Sequence, residues 1–159
     1  RNRIPAEQSR SAGVFGTFNN NVLAMSAGHA ALTQVLSEER LNRMNALGDS
    51  IRLRLAALAQ KHDVPMVATG LGSIFGLHFH KGPGRNAGEF DRFEHGREAA
   101  IGNLKKLFHL DMLAAGQYIS RRIMGDLSIE TTEAEADSLC AAVEEFMVTR
   151  GPVVRAAIG

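Results

Sequence analysis

The feature that most constrains this chain is the apolar pattern between Ser37 and Pro65. Leu41, Met44, Leu47, Ile51, Leu55 and Leu58 recur every three or four positions, which lines them up as one continuous stripe along an α-helix. Ser37 is suited to cap that helix. Glu38 and Glu39 fall in its first turn, where the helix dipole favours negative charge. Arg40, Arg43, Asp49, Arg52 and Arg54 fall mostly off the stripe, and Pro65 is expected to end the helix.

The segments on either side follow from the same reasoning. Residues 1–15 mix Arg, Asn, Gln, Ser and Pro5 without a period and read as a flexible leading segment. Val22 to Leu36 is rich in Ala, Leu and Met, so it reads as a helix apolar over much of its circumference, a pattern typical of helices with several packing partners. After Pro65, Met66 to Thr69 is followed by the break Gly70-Leu71-Gly72. Ser73 to Phe79 then alternates Phe75, Leu77 and Phe79 against Ile74, Gly76 and His78, a strand period. Lys81 to Gly88 is loop. A helix is expected from about His95 to Ala115, with Ile101, Leu104, Leu107, Phe108 and Leu110 to Leu113 inward, ending at Gly116. Tyr118-Ile119-Ser120 and Leu127-Ser128-Ile129 read as short strands. Thr132 and Glu135 form a capping box that opens a last helix through Leu139, Val143, Phe146 and Met147, with Gly151-Pro152 interrupting it. The order describes an α+β unit, a small antiparallel or mixed sheet packed by helices. The expected divisions are a flexible segment at 1–15, a turn and helices at 16–62, the α+β domain at 63–150 and a tail at 151–159.

Composition removes several classes of function. With 159 residues and 45% hydrophobic content the chain can bury a core. A formal net charge of +1 gives no one-sided excess of Lys and Arg for nucleic acid or an anionic membrane surface. No apolar run approaches the roughly 20 residues that span a bilayer. The single cysteine, Cys140, allows no intramolecular disulfide, which fits a reducing, cytoplasmic setting. The chain begins at Arg1 with no charged-then-apolar leader, so a processed start or a longer parent chain is expected.

Few residue groups carry chemistry. Gly70-x-Gly72 with Gly76 has the wrong spacing for a dinucleotide loop and precedes a strand, so these are turn glycines. His29, His78, His80 and His109 read as structural histidines, and Cys140 as a buried, inert thiol. The pair Arg121-Arg122, at the end of a short strand, can sit as a solvated loop or clamp a carboxylate or phosphate with two parallel hydrogen bonds. Gly16-Thr17-Phe18-Asn19-Asn20-Asn21 stands directly before a helix. It offers free backbone N–H groups, the Thr17 hydroxyl and a positive dipole end to an anion. The alternative is a plain N-cap by Asn20 or Asn21.

Gly16 to Gly28 resembles the stretch that class III aminotransferases write roughly as G-T-[FL]-x-x-N-P-x-x-x-A-A-G, with Val22 where proline is usual. In register with it, Leu41 to Gly48 resembles the family's long linking helix and Thr69 to Phe79 its first small-domain hairpin. Phe108 to Ile119 is similar to its helix-then-strand element, and Leu127-Ser128 with Thr131 to Phe146 to its closing strand and helix. The Asn19-Asn20-Asn21 run and the Arg121-Arg122 pair resemble the glutamate-1-semialdehyde aminomutase branch.

This resemblance implies the carboxy-terminal small domain, with its linking helix, of a fold-type I enzyme dependent on pyridoxal 5′-phosphate (PLP). It implies a homodimer in which Gly16 and Thr17 bind the phosphate of the partner's PLP, and Arg122 as a ligand for a substrate carboxylate. The implied reaction is amino-group transfer, or its aminomutase variant, on a small amino acid or semialdehyde. The family's Schiff-base lysine lies ahead of Gly16, and none of Lys61, Lys81, Lys105 and Lys106 matches it. PLP chemistry needs that amine as attachment point and proton carrier. The chain alone is therefore expected to hold no PLP covalently and to be inactive. The alternative is a non-catalytic dimerisation or docking module derived from such an enzyme.

Overall fold

The computed structural model describes residues 21–82 and 95–158. Gly16 and Thr17 lie outside these residues. The chain divides into two compact units, Arg1–Glu38 and Glu39–Gly159.

In the first unit, α1 (Val22–Ala30) continues into a wider, π-helical turn over Ala31–Val35. The Asn21 carboxamide oxygen accepts hydrogen bonds from Leu23 N at 2.9 Å and Ala24 N at 3.3 Å, so Asn21 is the N-cap. No residue from Val22 to Val35 is buried, and Leu23 is 80% exposed. The apolar character expected to bury this helix is present without a covering surface among the described residues.

Helix α2 (Glu38–Lys61) lies in the second unit from Glu39 on, and its stripe is sharper in the structure than in the sequence. Leu47, Ile51, Leu55 and Ala59 are buried, Leu58 is partly buried, and Leu41 and Met44 near the start are half-exposed. Pro65 does not end this helix. Asp63 does, in the left-handed conformation at φ 50°, where Val64 N reaches back to Ala59 O (2.9 Å) and Asp63 N to Gln60 O (3.3 Å). These two bonds satisfy carbonyls that the helix end would otherwise leave open. Arg155 adds its guanidinium to the carbonyls of His62 (3.1 Å) and Asp63 (3.0 Å).

Strands β1 (Met66–Leu71) and β2 (Ile74–Phe79) form an antiparallel hairpin in which Leu71 pairs with Ile74. The two-residue turn places Gly72 at φ 55°, a conformation glycine adopts without a side-chain clash. The third strand, β3, is Met124–Asp126 and joins the open side of β2, giving the order β1-β2-β3. Neither Tyr118–Ser120 nor Leu127–Ile129 is a strand. The intervening residues carry the ladder instead, because a turn at Ser120–Ile123 uses up the first of these segments.

Helix α3 (Glu98–Ala114) buries Ile101, Leu104, Phe108 and Met112, while Leu110 and Leu113 face outward. The continuous apolar run around Leu110 therefore overstated the inward face, which keeps to a spacing of three and four. Helix α4 runs without interruption from Glu133 to Ile158 and contains Pro152. Proline costs the bond to the carbonyl of Val148. Pro152 and Val148 are both exposed, so water can take over that carbonyl. Downstream, Val154 and Ile158 are buried in the core.

Phe79 on β2, Phe108 on α3 and Phe146 on α4 meet at the centre of this unit. Phe108 and Phe146 pack edge to face with centroids 4.9 Å apart, and Phe79 lies 6.5 and 6.3 Å from the two. Edge-to-face aromatic pairs add about 0.5–1.5 kcal/mol beyond the area they bury. The sheet thus presents one face to α2, α3 and α4, and the other carries Thr69, Ile74, Gly76, His78 and Met124.

Candidate functional site

The Arg121-Arg122 pair occupies the corner of a tight turn. Ile123 N donates to Ser120 O at 2.8 Å, closing the turn. The Ser120 hydroxyl donates to Met124 O at 3.1 Å and accepts from Met124 N at 3.3 Å. Leu77 N donates to Ile123 O at 3.0 Å, which ties the turn to β2. Ile123 is left-handed at φ 57° and buried. A β-branched residue in that region costs on the order of 1–3 kcal/mol, and the surrounding bonds and the core hold it there. Both arginines are exposed, and neither forms an ion pair with a described residue. The turn opens onto a concavity of about 520 Å³ that Ser120, Met124 and Tyr118 line with Phe75, Leu127 and Glu135.

The lysines stand elsewhere. Lys61 pairs with Glu144 at 2.7 Å, beside His62, whose Nε2 lies 2.8 Å from the same carboxylate oxygen. Those two partners hold the Glu144 carboxyl below its ordinary value, the Lys61 hydrogen bond contributing most. Lys105 and Lys106 lie on α3. Lys81 borders a larger groove, of about 860 Å³, between the end of α2, β1 and the end of α4. That groove has Ala59, Val64, Met66 and Ile158 in its walls, and neither a serine nor a threonine. Arg155, which also borders it, is engaged with the carbonyls at the end of α2. PLP requires hydroxyl or N–H donors for its phosphate together with a free amine. This groove offers no hydroxyl for a phosphate, and the implied phosphate ligands Gly16 and Thr17 lie outside the described residues.

Three of the four histidines read as structural have structural partners, while His29 is exposed on α1. His78 Nε2 lies 2.9 Å from the Thr69 hydroxyl across the hairpin, His80 Nδ1 lies 3.1 Å from Gly82 O, and His109 Nδ1 lies 2.7 Å from Ile119 O. Among the described residues no three His, Cys, Asp or Glu side chains gather as metal ligands would. Cys140 is buried, and burial pushes its thiol up from the ordinary value, so it stays protonated and unreactive. No helix among the described residues is long and apolar enough to cross a membrane.

The sequence named the arginine pair but not what holds it. Ser120 and Ile123 were invisible as a unit, because a left-handed isoleucine has no signature in composition or period.

This arrangement has relatives among known proteins. No protein-family model matches the chain. It is 33% identical over 153 residues to an uncharacterised aminotransferase of Schizosaccharomyces pombe, covering 96% of this chain and 32% of that protein. It is 34% identical over 139 residues to the β-phenylalanine transaminase of Variovorax paradoxus, covering 87% of this chain and 30% of that protein. The solved β-phenylalanine aminotransferase of Variovorax paradoxus superposes with a TM-score of 0.76 at 33% identity, over 89% of this chain and 31% of its own. A glutamate-1-semialdehyde aminomutase of Pseudomonas aeruginosa shares the fold with a TM-score of 0.70 at 18% identity, over 88% of this chain and 31% of its own. The α+β unit is therefore the fold of one portion of the transaminases, the fold-type I enzymes. The chain belongs to the aminotransferase family and spans about a third of the length of the relatives it matches.

Proposed function

We propose that this chain is the carboxy-terminal portion of a PLP-dependent aminotransferase or aminomutase, acting on the amino group of a small amino acid or semialdehyde. One observation carries the reading: relatives with that activity in their names match 87% to 96% of the chain at 33–34% identity. In the complete protein, PLP supplies the electron sink and the carbonyl that accepts the amino group. This chain's part is to bind and orient. The Gly16 N–H and Thr17 hydroxyl hold the phosphate of a partner subunit's cofactor, just ahead of the helix that Asn21 caps, where the dipole favours an anion. Arg122 anchors the carboxylate of the substrate. The working assembly is a homodimer in the cytoplasm.

By itself the chain is inactive, because none of its four lysines is placed to carry the cofactor. Incubation with PLP is expected to give no stable yellow adduct that borohydride fixes and no amino transfer. A stable adduct overturns the reading of the lysines. The intact mass of the native protein tests whether the chain is part of a longer enzyme. A native mass well above 17.2 kDa, with a lysine in the family position upstream, supports it.

The exposed apolar side chains of α1 favour a second reading, a non-catalytic module that docks on a full-length enzyme or on a second copy. A gene that opens at this domain would favour that module over the fragment.

A further inference from the structure

We propose that Ser120 and Ile123 are positioning residues, which hold the backbone of the Arg121-Arg122 corner in one conformation so that Arg122 meets a carboxylate from a fixed base. The inference rests on the reading of Arg122 as a carboxylate anchor.

Four hydrogen bonds converge on five residues: Ile123 N to Ser120 O, both bonds between the Ser120 hydroxyl and the Met124 backbone, and Leu77 N to Ile123 O. An exposed two-arginine corner would not require so many. A solvated loop would also not require a buried isoleucine at φ 57°, since glycine or asparagine fills that conformation more cheaply. Strain of this kind persists only where surrounding structure over-determines it, and it concentrates at binding sites. Here the Ile123 side chain anchors the corner in the core while its carbonyl is pinned to β2. Binding two oxygens of a carboxylate by one guanidinium depends on orientation. Order already present in the backbone is not lost again on binding.

The test uses the whole 159-residue chain, labelled with 15N, and two readouts. The first is the order of the Arg121 and Arg122 backbone amides by heteronuclear NOE. In the wild type they should be as rigid as Leu77 and Phe79, and Ser120→Ala should loosen them while leaving those two strand amides unchanged. The second is titration with succinate. Wild-type resonances of the turn should shift, Arg122→Ala should abolish the response, and Ser120→Ala should weaken binding by roughly three-fold or more. Ile123→Gly relieves the backbone strain but removes a core side chain. Ser120→Ala, which removes only the hydroxyl of a half-buried side chain, keeps the test decisive if the glycine variant fails to fold. A succinate response that is lost in Arg122→Ala yet unmoved in Ser120→Ala, with the amides equally rigid, overturns the positioning role. A rigid turn that Ser120→Ala loosens, but that ignores succinate in the wild type, overturns the carboxylate reading and leaves the restraint of the corner standing.

Discussion

At the scale of single residues, three positions on α2 fix how the hairpin meets it. Gly48 lies against the turn of the hairpin so closely that a Cβ there would collide with the Gly72 carbonyl oxygen. One turn to either side, Asn45 accepts from Ser73 N at 3.1 Å and Arg52 donates to Gly72 O at 2.6 Å. Glycine inside a helix costs about 1 kcal/mol relative to alanine, and here the close approach is what that cost secures. Gly48→Ala should therefore destabilise the domain by about 1–3 kcal/mol despite its better helix propensity, measured as a lowered urea midpoint. Phe108, wholly buried between Phe79 and Phe146, is the larger case. Phe108→Ala should cost about 3–5 kcal/mol, enough to unfold much of the population of a marginally stable domain.

At the scale of elements, α4 depends on its first turn. Thr132 and Glu135 cap each other: Glu135 N donates to the Thr132 hydroxyl at 3.2 Å, and Thr132 N donates to the Glu135 carboxylate at 2.8 Å. Thr132→Ala should cost about 1 kcal/mol, read by thermal melting. The backbone hydrogen bond from Thr132, followed by that of its hydroxyl, holds the Glu135 carboxyl below the ordinary 4.5, and Lys61 and His62 do the same for Glu144. A carboxylate whose folded pKa is depressed contributes stability above its unfolded value and loses that contribution as pH falls through the folded one. Melting temperature should thus fall as pH drops below about 4.5, and Glu135→Gln together with Glu144→Gln should flatten that fall. Helix α4 also shows where pattern reasoning failed. Gly151-Pro152 looks like a break, yet Gly151 is buried against Val64 and Arg155 while Pro152 faces water, so the helix passes through both.

At the scale of the whole molecule, α1 and the π-helical turn after it expose Val22, Leu23, Met25 and Leu32, more apolar surface than a lone soluble helix normally presents. Self-association through this helix is the expected outcome. Sedimentation velocity should show a species heavier than the 17.2 kDa chain, and Leu23→Glu with Leu32→Glu should return it to monomer. A wild type that sediments as monomer at all concentrations would remove the dimer from the proposed function.

The residues alone determined the elements whose pattern is local. The stripe of α2, the alternation of β2, a helix cap at Asn20 or Asn21 and the Thr132-Glu135 box each draw on neighbours within a few positions. The α+β class and the aminotransferase relationship were legible from their order. What the tertiary structure decided is wherever the deciding partner is distant in sequence. Met124–Asp126 became the third strand because β2 offered it an open edge. Pro152 was carried through a helix because its lost bond faces solvent. The Arg121-Arg122 corner acquired its fixed shape from a bond to Leu77, more than forty positions away in the chain. A one-dimensional pattern records how a residue suits its neighbours, and it holds no trace of a carbonyl that only folding brings within reach.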